Sequence, residues 1–283
     1  MVSKVKKGHR RNDMVKRTVS HFCMEQICRS GQCFRMTQKS EEQFVVIAGD
    51  RYLEVWQRGD QCSFSCSDEE FEEFWNAYFD LDGDYAGCIS RINPRDAYLT
   101  QAAALGWGIR ILRQELWEMI VSFLISQQNN ITRIRKCIEN LCAAYGERKI
   151  AENGEIYFAF PTAQVLAQCE EEELKACNLG YRSKYVVRAA KRVASGALNL
   201  EKLSCLPYKK AKEELLTLFG VGEKVADCIC LFALHHLEAF PVDTHISQAL
   251  EKHYKRGFPN RRYHCVRGIM QQYIFYYELW GNP

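Results

Sequence analysis

Lys224 and Asp243 are the residues best placed to do chemistry, and they stand nineteen positions apart. Lys224 follows Gly220-Val221-Gly222 and falls in the first turn of an expected helix, where an ammonium opposes the helix dipole. A lysine there costs stability unless it serves another purpose, and a desolvated amine beside a helix N-terminus is suited to nucleophilic attack. Asp243, in Pro241-Val242-Asp243, precedes a helical run. Its structural role is an N-cap. Its chemical role would be a carboxylate that stabilises a cationic sugar transition state and helps deprotonate the lysine. The two roles are compatible. The hairpin itself suits a phosphodiester. Gly220 and Gly222 let the backbone approach closely, and the second helix presents unpaired N–H groups at its positive end. Such a grip ignores base sequence, because phosphates carry no base information. The plain alternative is an ordinary helix corner with a glycine C-cap.

Those residues need a scaffold. Val45-Val46-Ile47, Tyr52–Trp56 and Cys62–Cys66 are short, β-rich runs separated by Ser30-Gly31, Ala48-Gly49-Asp50 and Arg58-Gly59-Asp60, which predicts an antiparallel meander. At Ser67-Asp68-Glu69-Glu70 the period changes, and Phe71, Phe74, Trp75, Tyr78 and Phe79 mark one helical face. Helices are expected over 95–105, 114–127, 130–145, 161–168, 170–177, 182–195, 207–218, 223–235, 244–253 and 262–279. The fold class is therefore α+β, with three segments: a basic arm over 1–19, expected to be disordered; an N-terminal antiparallel β-sheet domain with helices over 20–112; and an all-α domain over 113–283, with the hairpin at 207–235.

The chain has 283 residues, 47% apolar and 26% charged, enough to bury a sizeable core. Its formal charge of +3 conceals a split. Residues 1–20 carry +6, so the body is acidic. Within that body, nine Lys/Arg stand against Glu201 alone over 182–212, while acids gather at 68–84 and 170–173. A local basic face is expected beside the hairpin, with the acidic clusters turned away from nucleic acid. Fourteen cysteines are present, without a secretory signal, a CxxC pair or an apolar run of membrane length. Reduced, mostly buried thiols are expected, with no zinc or iron–sulfur site and no membrane partner.

Gly220-Val221-Gly222-x-Lys224 with Pro241-Val242-Asp243 resembles the helix-hairpin-helix/Gly-Pro-Asp superfamily of DNA glycosylases, and the lysine resembles its bifunctional branch. Only Cys265 follows the motif, unlike the four-cysteine loop usual in endonuclease III relatives. Four further segments look like the long, eukaryotic-like type of 8-oxoguanine DNA glycosylase. They are Ser30-Gly31-Gln32-Cys33-Phe34-Arg35; Phe79-x-Leu81-Asp82 with Ile111-Leu112-Arg113-Gln114; Ser126-Gln127-Gln128-Asn129-Asn130-Ile131; and Leu179-Gly180-Tyr181-Arg182.

The resemblance implies a TATA-binding-protein-like sheet domain before the helical one, and it assigns roles. The Gly31 carbonyl would read N7–H of 8-oxoguanine. Cys228 and Phe275 would sandwich the flipped base, and Gln271 would bond its Watson–Crick edge. Tyr181 would wedge the duplex, and Arg133 and Arg182 would hold the orphan cytosine. Gln128 stands where the family has asparagine, so selectivity for the opposite base is the property this departure touches. His245 matches a phosphate contact. Main-chain carbonyls of Leu216, Leu218 and Val221 would hold a structural monovalent or calcium ion. Catalysis would need no metal or organic cofactor.

The activity so implied is excision of 8-oxoguanine from duplex DNA, opposite cytosine, through a Lys224 Schiff base, followed by strand cleavage through β-elimination. A monomer in a bacterial cytoplasm, or in a nucleus if eukaryotic, is expected. Two alternatives stand beside it: a related glycosylase for alkylated bases, against which Gly31, Gln271 and Lys224 argue, and a non-catalytic DNA-binding module, which needs neither Lys224 nor Asp243.

Overall fold

The computed structural model describes residues 14–281. Five strands form one antiparallel sheet in the order β1-β5-β4-β3-β2: β1 Val15–Thr18, β2 Met36–Gln38, β3 Gln43–Ala48, β4 Arg51–Arg58 and β5 Gln61–Phe64. The expected meander is its centre. Two elements were not expected in it. Helix α1, Met24–Arg29, interrupts the strands, and β1 lies inside the segment read as a basic arm. β1 pairs with β5 from Val15↔Phe64 to Thr18↔Gln61, and its Val15 is buried, so backbone pairing and burial outweigh the local charge. The rest of that arm, residues 1–13, lies outside the described residues.

The sheet has its own core. Phe44, Val46, Leu53, Val55 and Phe64 face Phe71, Trp75, Tyr78 and Phe79, which follow α2 (Asp68–Glu70) on a π-turn (Phe71–Trp75), α3 (Asn76–Tyr78) and the residue after it. Side chains alternate across each strand, and this aromatic stripe covers one sheet face.

The helical core is built from α4 Tyr85–Ser90, α5 Ala97–Leu105, α6 Leu116–Ser126, α7 Ile131–Tyr145, α8 Ala163–Gln168, α9 Glu171–Lys175, α10 Ser183–Ala194, α11 Leu200–Ser204, α12 Tyr208–Leu216, α13 Glu223–Phe232, α14 Thr244–His253 and α15 Arg267–Trp280. Helix α6 is buried all round and runs through its middle, with Trp117 to Ile125 all buried and its one charge, Glu118, paired with Arg35 at 3.2 Å. Helices α4 and α5 precede residue 112 in sequence but join this second core, with α5 packed on α15. The helical domain also holds a two-stranded hairpin, β6 (Arg148–Ile150) and β7 (Ile156–Phe158), in the stretch between the helices expected over 130–145 and 161–168, where no strand was expected. Contacts with the sheet domain hold it: Lys149 pairs with Asp50 at 2.7 Å, and Arg35 donates to the Phe158 carbonyl.

A buried extended segment, 110–114, joins the two cores. Gln32 donates to the Arg110 carbonyl and accepts from the Leu112 N–H, both at 2.9 Å. Gln114 donates to the Gln32 carbonyl at 2.8 Å, and its own N–H reaches the Phe232 carbonyl at the end of α13. The loop carrying Gly31 is thereby tied to the helix carrying Lys224.

Candidate active site

Six of the predicted residues meet at one small cavity. Gly31, Lys224, Cys228, Asp243, Gln271 and Phe275 line it, together with Ser30 and Pro241 from the same motifs and with Phe123, Phe232 and Gln272, which no motif included. It encloses about 50 Å³, room for a water or two at about 30 Å³ each but not for a purine.

Each wall has a local cause. Helix α1 ends at Ser30, and Gly31 takes the left-handed conformation (φ 75°) that commonly terminates helices. A Cβ on Gly31 would lie 3.1 Å from the Phe275 ring. Gln271 and Phe275 share one face of α15, four residues apart. Gln271 is buried and donates to the Pro241 carbonyl at 3.0 Å, which ties α15 to the segment carrying Asp243. Asp243 caps α14, accepting the Ile246 N–H through Oδ1 at 2.9 Å. That leaves its second oxygen for the cavity. Lys224 is half-buried on the first turn of α13, its Nζ 5.6 Å from the Phe123 ring centroid. Phe123 in turn stacks on Phe232. Burial pushes the Cys228 thiol up to about 11, with the neighbouring Lys224 ammonium pulling it part of the way back. Cys228 is thus a neutral, apolar wall at ordinary pH. His245 is exposed on the first turn of α14, its ring 6.1 Å from Phe275.

The hairpin lies beside the cavity. Helix α12 ends at Leu216, Gly220 takes φ 91°, and Gly222 is the N-cap of α13, without a side-chain cap. A Cβ on Gly220 would fall 2.6 Å from the Tyr185 ring, whereas one on Gly222 meets nothing within 4 Å. One glycine serves packing and backbone conformation, and the other keeps open space before a helix N-terminus. The Leu218 carbonyl accepts the Val221 N–H at 3.0 Å, while the carbonyls of Leu216 and Val221 receive no N–H of the hairpin. All three retain lone pairs, hard oxygen donors of the type alkali and calcium ions take.

A second group stands apart. Gln128 is exposed in the left-handed region (φ 47°), and the Tyr181 hydroxyl donates to its Oε1 at 3.4 Å. Tyr181 is exposed, and Arg133 is exposed on the first turn of α7. Arg182 differs from expectation. It is 3% exposed, and its guanidinium donates to the carbonyls of Gln127, Gln128 and Leu179. As placed, it holds the loop that carries Gln128 and does not present itself to an orphan base. Along α10, Arg188 lies 4.2 Å and Lys184 5.8 Å from the ring of Phe219, which is exposed at the hairpin tip, but Arg188 also pairs with Glu171 at 3.9 Å, so one of the acidic clusters expected to face away borders this basic stretch. Among the described residues, no three His, Cys, Asp or Glu side chains converge to hold a metal, and no helix is long and apolar enough to cross a membrane.

Comparison with known proteins bears on the family and the fold. Residues 14–120 match the 8-oxoguanine DNA glycosylase N-terminal domain, and residues 121–260 match the HhH-GPD superfamily of base excision DNA repair proteins. The crystal structure of Clostridium acetobutylicum 8-oxoguanine glycosylase/lyase with dsDNA containing cytosine opposite 8-oxoG superposes with a TM-score of 0.90 at 35% identity, covering 96% of this chain and 97% of that one. The N-glycosylase/DNA lyase of Saccharomyces cerevisiae is 36% identical over 52% of this chain, and the N-glycosylase/DNA lyase OGG1 of Arabidopsis thaliana 33% over 77%. The matches span 42% and 62% of those two longer proteins. By its two matched domains, its fold and its near-complete overlap with the clostridial enzyme, the chain belongs to the 8-oxoguanine DNA glycosylases of the HhH-GPD superfamily.

Proposed function

We propose that the protein excises 8-oxoguanine from duplex DNA and then cleaves the strand at the abasic site. One observation carries this: a nucleophile candidate, a carboxylate, a left-handed glycine and a base-edge amide, distant in sequence, line a single cavity. The Lys224 amine attacks C1′ while the C1′–N9 bond breaks and the base leaves with the bonding electrons. Asp243 stabilises the positive charge that develops on the sugar. Ring opening gives a Schiff base, which acidifies the C2′ proton. Loss of that proton expels the 3′ oxygen, cutting the strand by β-elimination. Lys224 and Asp243 are the side chains this chemistry asks of the protein, and no metal or organic cofactor enters it.

The base must leave the duplex to be read, and the cavity has to widen to take it. Phe275 lifts from Gly31, the purine enters between Phe275 and Cys228, and its N7–H meets the Gly31 carbonyl. Guanine would oppose a lone pair to that carbonyl, a mismatch of roughly 1–3 kcal/mol. Gln271 takes the Watson–Crick edge. Gln128 and Tyr181 fill and wedge the gap left in the duplex, Arg133 faces the orphan cytosine, and Arg182 supports the loop that carries Gln128. Gly222, His245 and the N-terminus of α13 hold phosphates. Leu216, Leu218 and Val221 hold a monovalent or calcium ion that stiffens the hairpin. One chain supplies every group, so the protein acts as a monomer, wherever the genomic DNA lies: a bacterial nucleoid, or a nucleus.

The test is a strand-cleavage assay on duplexes carrying one 8-oxoguanine opposite C, A, G or T. The proposal expects cleavage 3′ to the lesion with an unsaturated sugar remnant, fastest opposite C. No base release from any duplex would overturn it.

A further inference from the structure

Gln271 has a neighbour that neither the motifs nor the mechanism uses. Gln272 also lines the cavity and is 3% exposed. Its Nε2 donates to the Gln271 Oε1 at 3.1 Å, and Gln271 Nε2 donates onward to the Pro241 carbonyl at 3.0 Å. The two amides form a directed relay, which fixes which end of Gln271 carries the oxygen. The far end of the relay is incomplete. Gln272 Oε1 is fully buried and has no hydrogen-bond partner among the described residues. A buried carbonyl oxygen without a donor is rare in a folded protein and calls for a reason. Its position on a cavity that widens for a base supplies one.

We infer that Gln272 is a second base-reading residue, whose Oε1 accepts a hydrogen bond from the exocyclic amino group of a guanine-type base. This rests on the proposal that the cavity takes 8-oxoguanine. A guanine-type Watson–Crick edge carries adjacent N1–H and N2–H donors. The Gln271 oxygen, oriented by Gln272, has a lone pair left for one of them, and the orphan Gln272 oxygen matches the other. A purine without the 2-amino group leaves Gln272 Oε1 unpaired in a closed, dry site. A site built to hydrogen-bond a substrate group discriminates strongly against an analogue lacking it. Gln272 thereby selects 2-aminopurine lesions, independently of the Gly31 carbonyl, which reads N7–H.

The experiment compares single-turnover excision of 8-oxoguanine and 8-oxohypoxanthine, each opposite cytosine. The two bases share N7–H, O6 and N1–H and differ only in the amino group. Wild-type protein is expected to prefer 8-oxoguanine by tenfold or more. In Gln272→Met, similar in length and without a carbonyl, the ratio is expected to fall to within about twofold of one. Gln272→Ala serves as the second variant should the first fold poorly. The ratio is taken on one preparation, so a smaller active fraction leaves it unchanged. An unchanged preference in either variant, or equal slowing on both bases, would overturn the inference and leave Gln272 a packing residue. Wild-type protein inactive on both bases would instead overturn the glycosylase proposal itself, and this inference with it.

Discussion

Gly31 and Phe275, one ending a helix of the sheet domain and the other on the last helix, stand so close that a methyl group on Gly31 would lie 3.1 Å from the Phe275 ring. In the proposed function this contact closes the base slot and also marks where it must open. Gly31→Ala places a methyl group in that slot and strains a residue at φ 75°. The backbone cost is about 1 kcal/mol, too little to unfold the protein. Excision of 8-oxoguanine is expected to fall at least a hundredfold while the melting temperature drops by only a few degrees. Single-turnover assays beside thermal melts check both parts.

Asp243 serves as a helix cap and, in the proposed chemistry, as a charge. Asparagine caps helices as well as aspartate does. Asp243→Asn should therefore keep the Ile246 N–H bond and nearly all stability, yet lose roughly a hundredfold or more in excision rate. Asp243→Ala should lose the rate and about 1 kcal/mol of stability as well. Equal rates for Asn and Asp would assign the residue to capping alone.

The two hairpin glycines should respond differently. Gly220→Ala forces a Cβ to 2.6 Å from the Tyr185 ring at φ 91°, so it should destabilise the fold by more than 1 kcal/mol. Gly222→Ala meets open space and should fold normally. Its methyl group would stand where a phosphate approaches the N-terminus of α13, so DNA affinity should fall about tenfold. Melting curves and binding isotherms at one fixed salt concentration separate the two cases.

Asp80 links the sheet domain to the loop after α13. Burial by itself would raise its carboxyl, but a contact with His235 at 3.3 Å and the Arg113 guanidinium, whose Nε and Nη2 both donate to Oδ1, outweigh burial and bring it down to about 2 from an ordinary 3.8. The ionised form therefore stabilises the fold at neutral pH by about 2 kcal/mol. That stability is lost as pH falls from about 4 toward 2. Asparagine tolerates the left-handed conformation found here (φ 51°), so Asp80→Asn removes the charge with little backbone strain. Denaturant unfolding should show the variant weaker at pH 7 and indistinguishable from wild type near pH 2.

Much of this was legible in the sequence, for identifiable reasons. Lys224 and Asp243 sit in short contiguous motifs, and the helices that follow them announce themselves by apolar spacing and, for the one carrying Lys224, by Gly220 and Gly222 just before it. The expected 244–253 helix is α14, and 130–145 differs from α7 by one residue. Less legible were elements held by distant partners. β1, β6 and β7 have three or four residues each and depend on strands or side chains far along the chain. Arg182 reads locally as a surface arginine, but the fold brings the carbonyls of Gln127 and Gln128 onto its guanidinium, which no local pattern reports. Phe123 and Gln272 lie in helices that are buried nearly all round, where periodicity does not distinguish a pocket wall from core.

The central claim is that Lys224 is the nucleophile. Borohydride added during reaction with a duplex carrying 8-oxoguanine opposite cytosine reduces a Schiff base to a stable amine. The account predicts one covalent protein–DNA adduct whose cross-linked peptide contains Lys224, and no adduct from Lys224→Gln. An adduct of equal yield from Lys224→Gln, or base release by the wild-type protein with no adduct at all, would contradict it.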